Sequence, residues 1–461
     1  MSLAHPETLP HGILPPEADR LFAEIKPPLA EDAAVLEADR CLVCGGPSAP
    51  APCAVACPAM VDVPRFVDAI AHDDWEGAAE LIFASNLLGA SCARVCPTEE
   101  LCEGACVLTR QGRRPVEIGR LQRYAADRAL QNPWSTFRTA APATGKRIVV
   151  IGAGPAGLVC AGELAILGHA VRIYEARSES GGLVRHAIAP YRLDEEPLED
   201  EVHRILALGV ELYLGRPVDS PEALRRIEAE CDAIFLGVGM GPDVEQPYPG
   251  DHLPGVWNSL DFIEAIKLRH MTGIGRRVAV IGGGNTAIDV AREAVRLGAE
   301  EVRLLYRRTE AEMPAYRFEV EGARAEGVRF EWLTNPVSFV GGSRVSGVLC
   351  QRMRLGEPDA SGRARPVPEP GSEFLLPADT VIRAIGQQPR LEFLQWVEGL
   401  ELHNGRPAVD PATGRTSNPR YFAGGDVVNG GGTVVAAVRA AKIAALGIDA
   451  FLRTSECQVV S

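Results

Sequence analysis

The sequence predicts an α/β protein: two interleaved, doubly wound domains behind an all-helical N-terminal domain. Three observations carry this reading. A glycine-rich turn between a β-branched strand and a helix occurs at Gly152–Gly157 and again at 282–287. A glycine-rich strand end at 421–426 follows the second turn and reads as the return of the first fold, which the second therefore interrupts. Eight of the twelve cysteines fall between Cys41 and Cys106, in a region otherwise patterned as helices. The expected boundaries are 1–140 for the helical domain, 141–255 with 384–461 for the interrupted domain, and 256–383 for the inserted one.

A chain of 461 residues has room for about three such domains. Its net charge of -14 argues against nucleic acid as a partner, since phosphate binding needs a basic footprint. No apolar run approaches the roughly 18 residues that a membrane span requires. The first 20 residues show neither a basic start nor an apolar stretch, so no secretory signal is visible and a cytoplasmic setting is expected. In that setting clustered cysteines read as metal ligands rather than disulfides.

Residues 1–30 are proline-rich and read as an arm that packs on something else. A helical pattern from Glu31 leads into Cys41-x2-Cys44-x8-Cys53-x3-Cys57-Pro and then Cys92-x3-Cys96-x5-Cys102-x3-Cys106. Such tight spacings with Cys-Pro suit cubane iron–sulfur clusters, whose fourth ligand often comes from a distant segment. Zinc usually takes two separated Cys-x2-Cys pairs, and this block has one. Eight thiols suffice for two four-iron clusters, though counting does not pair them. Val63–Leu88 reads as two helices and Ile118–Leu130 as another, with a Pro/Thr/Ala linker over Asn132–Gly145.

Arg147–Ile151 is a short β-branched run, read as a buried parallel strand. In the turn that follows, Gly152 permits the bend, Gly154 lets a pyrophosphate approach the backbone and Gly157 lets the helix pack closely. Pro155 and Ala156 open that helix, whose amides offer partial positive charge. Val171–Tyr174 is the next strand, and Glu175 ends it where a ribose-binding carboxylate belongs. Gly182 and Leu183 mark a loop over the nucleotide. Cys231–Gly239 is a further buried strand.

The second unit repeats the pattern: strand Arg277–Ile281, turn Gly282-Gly283-Gly284, and a helix opened by Asn285 and Thr286 that carries Asp289. Its second strand ends in Arg307-Arg308 instead of a carboxylate. An arginine pair can hold a 2′-phosphate by charge-assisted bonds, so NADPH is expected here, with NADH possible, and FAD at the first unit. Gly341–Gly371 is turn-rich and reads as a surface hairpin with loops. Thr380–Gly386 is another strand. Gly425 and Asp426 can set a carboxylate on a flavin ribityl chain, and the helix opened by Thr433 and Val434 points its N-terminus at the flavin ring. Cys160, Cys231, Cys350 and Cys457 form no close pair and read as packing residues, against a redox disulfide.

Together the segments ADRC, LLGASCARVCPTEELCEGAC, PVEIGRLQRYA, VIGAGPAGL, VIGGGNTAIDVA, YRRTEAEMPA and FAGGD resemble the flavin-containing electron-input module of the glutamate synthase small subunit and dihydropyrimidine dehydrogenase family. The resemblance covers the chain from about residue 30. It implies one [4Fe-4S] cluster on Cys41, Cys44, Cys53 and Cys106. It implies a second on Cys57, Cys96, Cys102 and the amide of Gln122, with Cys92 left out. GGPSAPAP, between Cys44 and Cys53, is longer than the family's usual spacer.

The implied activity is electron input from NADPH through FAD and two clusters to a partner, either a separate barrel-type catalytic subunit or a ferredoxin-like acceptor. Hydride transfer to flavin N5 needs no side-chain acid or base, so none is expected. A stand-alone NAD(P)H:acceptor reductase and a non-catalytic NADPH sensor are the rival readings.

Overall fold

The computed structural model describes residues 22–46, 49–132, 138–268, 270–271, 273–358 and 362–457, with side chains as far as Thr454. Most of the predicted arm, part of the linker and the Cys457 side chain lie outside the described residues.

The N-terminal region is helical: α1 (Glu31–Ala38), α2 (Pro52–Ala56), α3 (Val63–Ala71), α4 (Trp75–Ser85), α5 (Gly89–Val95), α6 (Val107–Arg110) and α7 (Ile118–Leu130). Two helices fill 63–88 because each has its own cap. Asp62 accepts from the Arg65 amide and Asp74 from the Gly77 amide, satisfying donors that a helix start leaves free. Ile118, Leu121, Ala125 and Ala129 form a buried stripe along α7, at the spacing of one helix face, and α7 packs against α4 and α5.

The strands follow: β1 (Arg147–Ile151), β2 (Ala170–Tyr174), β3 (Glu211–Tyr213), β4 (Ala233–Leu236), β5 (Val256–Asn258), β6 (Arg277–Ile281), β7 (Glu301–Tyr306), β8 (Arg329–Trp332), β9 (Thr334–Gly341), β10 (Val345–Pro358), β11 (Ala364–Pro368), β12 (Phe374–Pro377), β13 (Thr380–Arg383), β14 (Leu402–His403), β15 (Arg406–Pro407) and β16 (Tyr421–Ala423). One parallel sheet has the order β16-β4-β1-β2-β3 and a second β5-β13-β6-β7-β8. Both are doubly wound orders, with the glycine turn after the central strand of each. The expected surface hairpin is larger than the turn signals suggested. β9 to β12 pair antiparallel, and the 14-residue β10 joins all three neighbours.

The chain forms two compact units. One comprises 25–185, 192–241 and 389–461; the other comprises 186–191, 242–388 and the described residues up to Glu24. The helical region and the first sheet thus share a unit, joined by buried polar contacts. Helix α8 (Pro155–Ile166) follows β1, and α9 (Glu196–Ala207) packs on both α8 and α5. Glu201 of α9, 0% exposed, accepts from the Ala90 and Ser91 amides and from the Ser91 hydroxyl. Burial pushes its carboxyl up to about 7 against those donors.

Candidate cofactor sites

The first glycine turn divides its work among its residues. A Cβ on Gly157 would lie 1.9 Å from the Gly152 carbonyl oxygen, so this glycine serves the packing of α8 on β1. Gly154 differs: its φ is -77°, and a Cβ there would meet nothing nearer than Gly182 Cα at 3.8 Å. The fold itself leaves that position free for an alanine. The open space lies at the N-terminus of α8, where a pyrophosphate fits. Glu175 is buried beside it. Its Oε2 accepts from the Ala153 amide at 2.7 Å and its Oε1 from the Arg177 amide at 2.8 Å. Both oxygens keep lone pairs for ribose hydroxyls.

The C-terminal return arrives at this turn. A Cβ on Gly425 would meet the Ala156 Cβ at 2.8 Å, so the two segments touch across the head of α8. Burial pushes the half-buried Asp426 carboxyl up, opposed by the Gly432 amide. Thr433 Oγ accepts from the Ala436 amide at 3.2 Å, at the head of a long helix that begins with Val434. Sequence motifs did not single out Arg390. Its Nε donates to Val238 O at 3.0 Å, and while burial pulls its guanidinium down, Glu175 favours its charge.

In the second unit α10 (Asn285–Arg296) starts directly from Gly284. A Cβ on Gly284 would find nothing within 4 Å, whereas one on Gly283 would strike the Tyr306 ring at 2.4 Å. Gly282 approaches the Ala384 carbonyl just as closely. The segment after β7 folds over this turn: the Ala315 amide donates to Gly283 O at 3.1 Å and the Tyr316 amide to Asn285 Oδ1 at 2.9 Å. Asp289 accepts from the Tyr191 hydroxyl at 2.7 Å, and Thr286 is exposed.

The arginine pair is split. Arg307 is exposed and lies near Tyr248, where it opposes the upward push of burial on the phenol. Arg308 is 4% exposed and turns inward, its Nε donating to Ala364 O at 2.8 Å. The two guanidinia thus lie in different settings, one in solvent and one bonded in the interior. Successive residues at a strand end point to opposite faces.

The cysteines form two groups. Cys41, Cys44, Cys53 and Cys106 line one small pocket, walled by Val63, Val67, Leu108 and Ile118. Burial, and then the neighbouring thiol of Cys41, pushes Cys53 up to about 11. The second group gathers Cys57, Cys96 and Cys102, and burial pushes Cys57 and Cys102 up as well. Cys92 stands with them, 2% exposed, its sulfur within hydrogen-bond reach of Cys96. Gln122 reaches α5, donating from Nε2 to Gly89 O at 2.8 Å.

Thiolates so buried are unfavourable without positive charge beside them, so the donor set suits bound iron. Among the described residues no three His, Cys, Asp or Glu side chains close on one point as a single ion requires. The four cysteines of the first group line one pocket. Cys160, Cys231 and Cys350 are buried and unpaired with any other cysteine. No helix among the described residues is long and apolar enough to cross a membrane.

Residues 18–134 match the family described as dihydropyrimidine dehydrogenase domain II, 4Fe-4S cluster, and residues 146–441 match pyridine nucleotide-disulphide oxidoreductase. The chain is 40% identical over 441 residues to NADP(+)-dependent formate dehydrogenase subunit beta of Moorella thermoacetica, covering 88% of this chain and 60% of that protein. It is 38% identical over 444 residues to the glutamate synthase [NADPH] small chain of Halomonas elongata, covering 93% and 92%. Mycobacterium tuberculosis FprA in complex with NADPH superposes with a TM-score of 0.58 at 20% identity, over 69% of this chain and 86% of that one, a likeness of fold alone. The chain belongs to the family of NAD(P)H-dependent FAD and iron–sulfur oxidoreductases that includes the glutamate synthase small chains.

Proposed function

We propose that this chain is an electron-input subunit that draws electrons from NADPH and delivers them through FAD and two [4Fe-4S] clusters to a separate catalytic subunit. The carrying observation is the pair of glycine turns whose middle glycines, Gly154 and Gly284, are spared by the fold and open towards space at a helix head. One lies in the unit that also holds the cysteines, the other in the inserted unit. When bound, FAD would supply hydride acceptance and single-electron release, with the clusters as one-electron carriers.

The chain's own residues bind and orient. The heads of α8 and α10 offer amides to phosphates, Glu175 offers carboxylate oxygens to a ribose, and the C-terminal return closes over α8 through Gly425. Cys41, Cys44, Cys53 and Cys106 would hold one cluster; Cys57, Cys96, Cys102 and Gln122 would hold the other. The relatives' names include subunits of different enzymes, which supports a partner subunit and leaves its substrate open. Anaerobic NADPH should bleach the flavin and develop cluster EPR signals in the isolated chain. A bleached flavin with silent clusters would remove the electron-input reading, and an unreduced flavin would remove the NADPH site.

Arg307, the exposed member of the arginine pair, carries the preference for NADPH over NADH on this reading. Arg307→Ala should reduce that preference by about 1.5–3 kcal/mol, the worth of a charge-assisted bond, or roughly 10- to 150-fold in kcat/KM ratio. Arg308→Ala should instead lower the melting temperature, because it vacates a buried, bonded site. An unchanged ratio in the Arg307 variant would count against the assignment.

A further inference from the structure

Lys442 lies nine residues past Thr433, on α11 (Val434–Cys457), the helix whose head is proposed to face the flavin. Nine residues of helix span about 14 Å. At that remove its side chain leaves the sheet domain and ends among carbonyls of the helical domain. Nζ donates to Ser85 O at 2.6 Å and to Ala59 O at 3.0 Å.

The loop it grips also wraps a candidate ligand. Ala59 stands two residues after Cys57, and the Cys57 sulfur faces the amides of Val61, Ala59 and Met60. Met60 holds a left-handed backbone, φ 59°, and its amide closes the turn on Cys57 O at 2.9 Å. A side-chain-bearing residue adopts that conformation at a cost, so the surrounding contacts hold the turn in shape. Burial pulls the Lys442 ammonium down; Glu163 favours its charge, Arg138 opposes it, and Cys57 favours it.

We propose that Lys442 sets the reduction potential of the centre held by Cys57, Cys96 and Cys102, by fixing one positive charge behind the Cys57 loop. The inference rests on reading that group as an iron–sulfur centre. One-electron reduction, with the electron supplied from NADPH through the flavin, adds one negative charge to the centre. A nearby cation in a partly desolvated site favours that product, and cluster potentials respond to local charge and to hydrogen bonds at the sulfurs. Lys442 is thus a positioning residue, and the bland alternative is that it only docks α11 on the helical domain.

The test is an EPR-monitored redox titration of the holoprotein, wild type beside Lys442→Met and Lys442→Arg, with iron and flavin counted. Lys442→Met should make reduction of one centre about tenfold or more less favourable, ~59 mV for one electron, and leave the other in place. The signal that moves should be the one that Cys102→Ser abolishes. Lys442→Arg should sit near wild type. Unmoved midpoints, equal movement of both, or loss of iron from both Lys442 variants would overturn the proposal in favour of docking. A wild-type protein with fewer than two cluster signals would instead sink the two-centre reading on which it stands.

Discussion

Gly284→Ala should yield a folded protein with full flavin and iron that NADPH can no longer reduce. The reason is geometric. Gly284 has φ -87°, open to any residue, and a Cβ would find no protein atom within 4 Å. An alanine therefore costs the fold little, about 1 kcal/mol at most for a changed N-cap. The space it fills is where the pyrophosphate must approach the backbone. Two charge-assisted bonds from amides, at about 1.5–3 kcal/mol each, stand to be lost, or roughly a 10²- to 10⁴-fold weaker NADPH affinity.

Gly154→Ala should do the same for the flavin, giving a folded protein that keeps its iron and loses its flavin. Gly157→Ala is the control with the opposite outcome. Its Cβ would lie 1.9 Å from the Gly152 carbonyl, so the turn itself must shift and the melting temperature should fall. Thermal melts, flavin stoichiometry and anaerobic NADPH bleaching separate these cases. If the Gly284 variant were reduced with wild-type affinity, the second turn would not be the nucleotide site.

The same glycines show how far the sequence could be read. A strand, a tight turn and a helix are local, so both strand–turn–helix units and the place of Glu175 at a strand end were legible from spacing, whereas the strand orders were not. The cysteine block was legible for the same reason. Contacts between distant segments were not. Gly447 looks like a helix stop, and by that signal alone the last helix would end at Leu446. It runs to Cys457, because Gly447 serves close packing: a Cβ there would lie 2.2 Å from Thr413 O. Arg307 and Arg308 are indistinguishable by residue type, and only the fold shows which one turns inward. Lys442 sits in an alanine-rich helix and reads as a solvated lysine. Glu201 reads as one of several surface acids in EEPLEDE, yet it is fully buried against α5. Each of these was missed because its partner lies outside any local window, from 56 residues away for Arg308 to 383 for Lys442, and Gly447 likewise packs on a separate loop.

The second cysteine group gives the sharpest expected result: Cys92→Ser should leave about eight irons per chain, two clusters of four, while Gln122→Ala should alter one cluster signal. The resemblance favours the amide, and the structure supplies a reason it could serve. Gln122 Nε2 is committed to Gly89 O at 2.8 Å, which leaves Oε1 as the free acceptor on a fixed amide. Such anchoring of a ligand's far atom is how outer-shell contacts orient metal ligands. Gly89 opens α5, which ends at Val95, directly before Cys96, so the anchor and the thiol ligand share one short element.

Cys92 is the competitor, since it lies on that same helix with its sulfur beside Cys96. An amide oxygen is neutral where a thiolate is charged, so the amide-ligated centre is one charge less negative. That difference favours reduction, the same sign as the Lys442 charge, and the two effects should act on one signal. Gln122→Ala should therefore disturb the signal that Lys442→Met shifts, with the Cys41–Cys106 signal intact. If Cys92→Ser loses about four irons and Gln122→Ala changes nothing, the second centre has four thiolates. The amide would then be only a strut between α7 and α5.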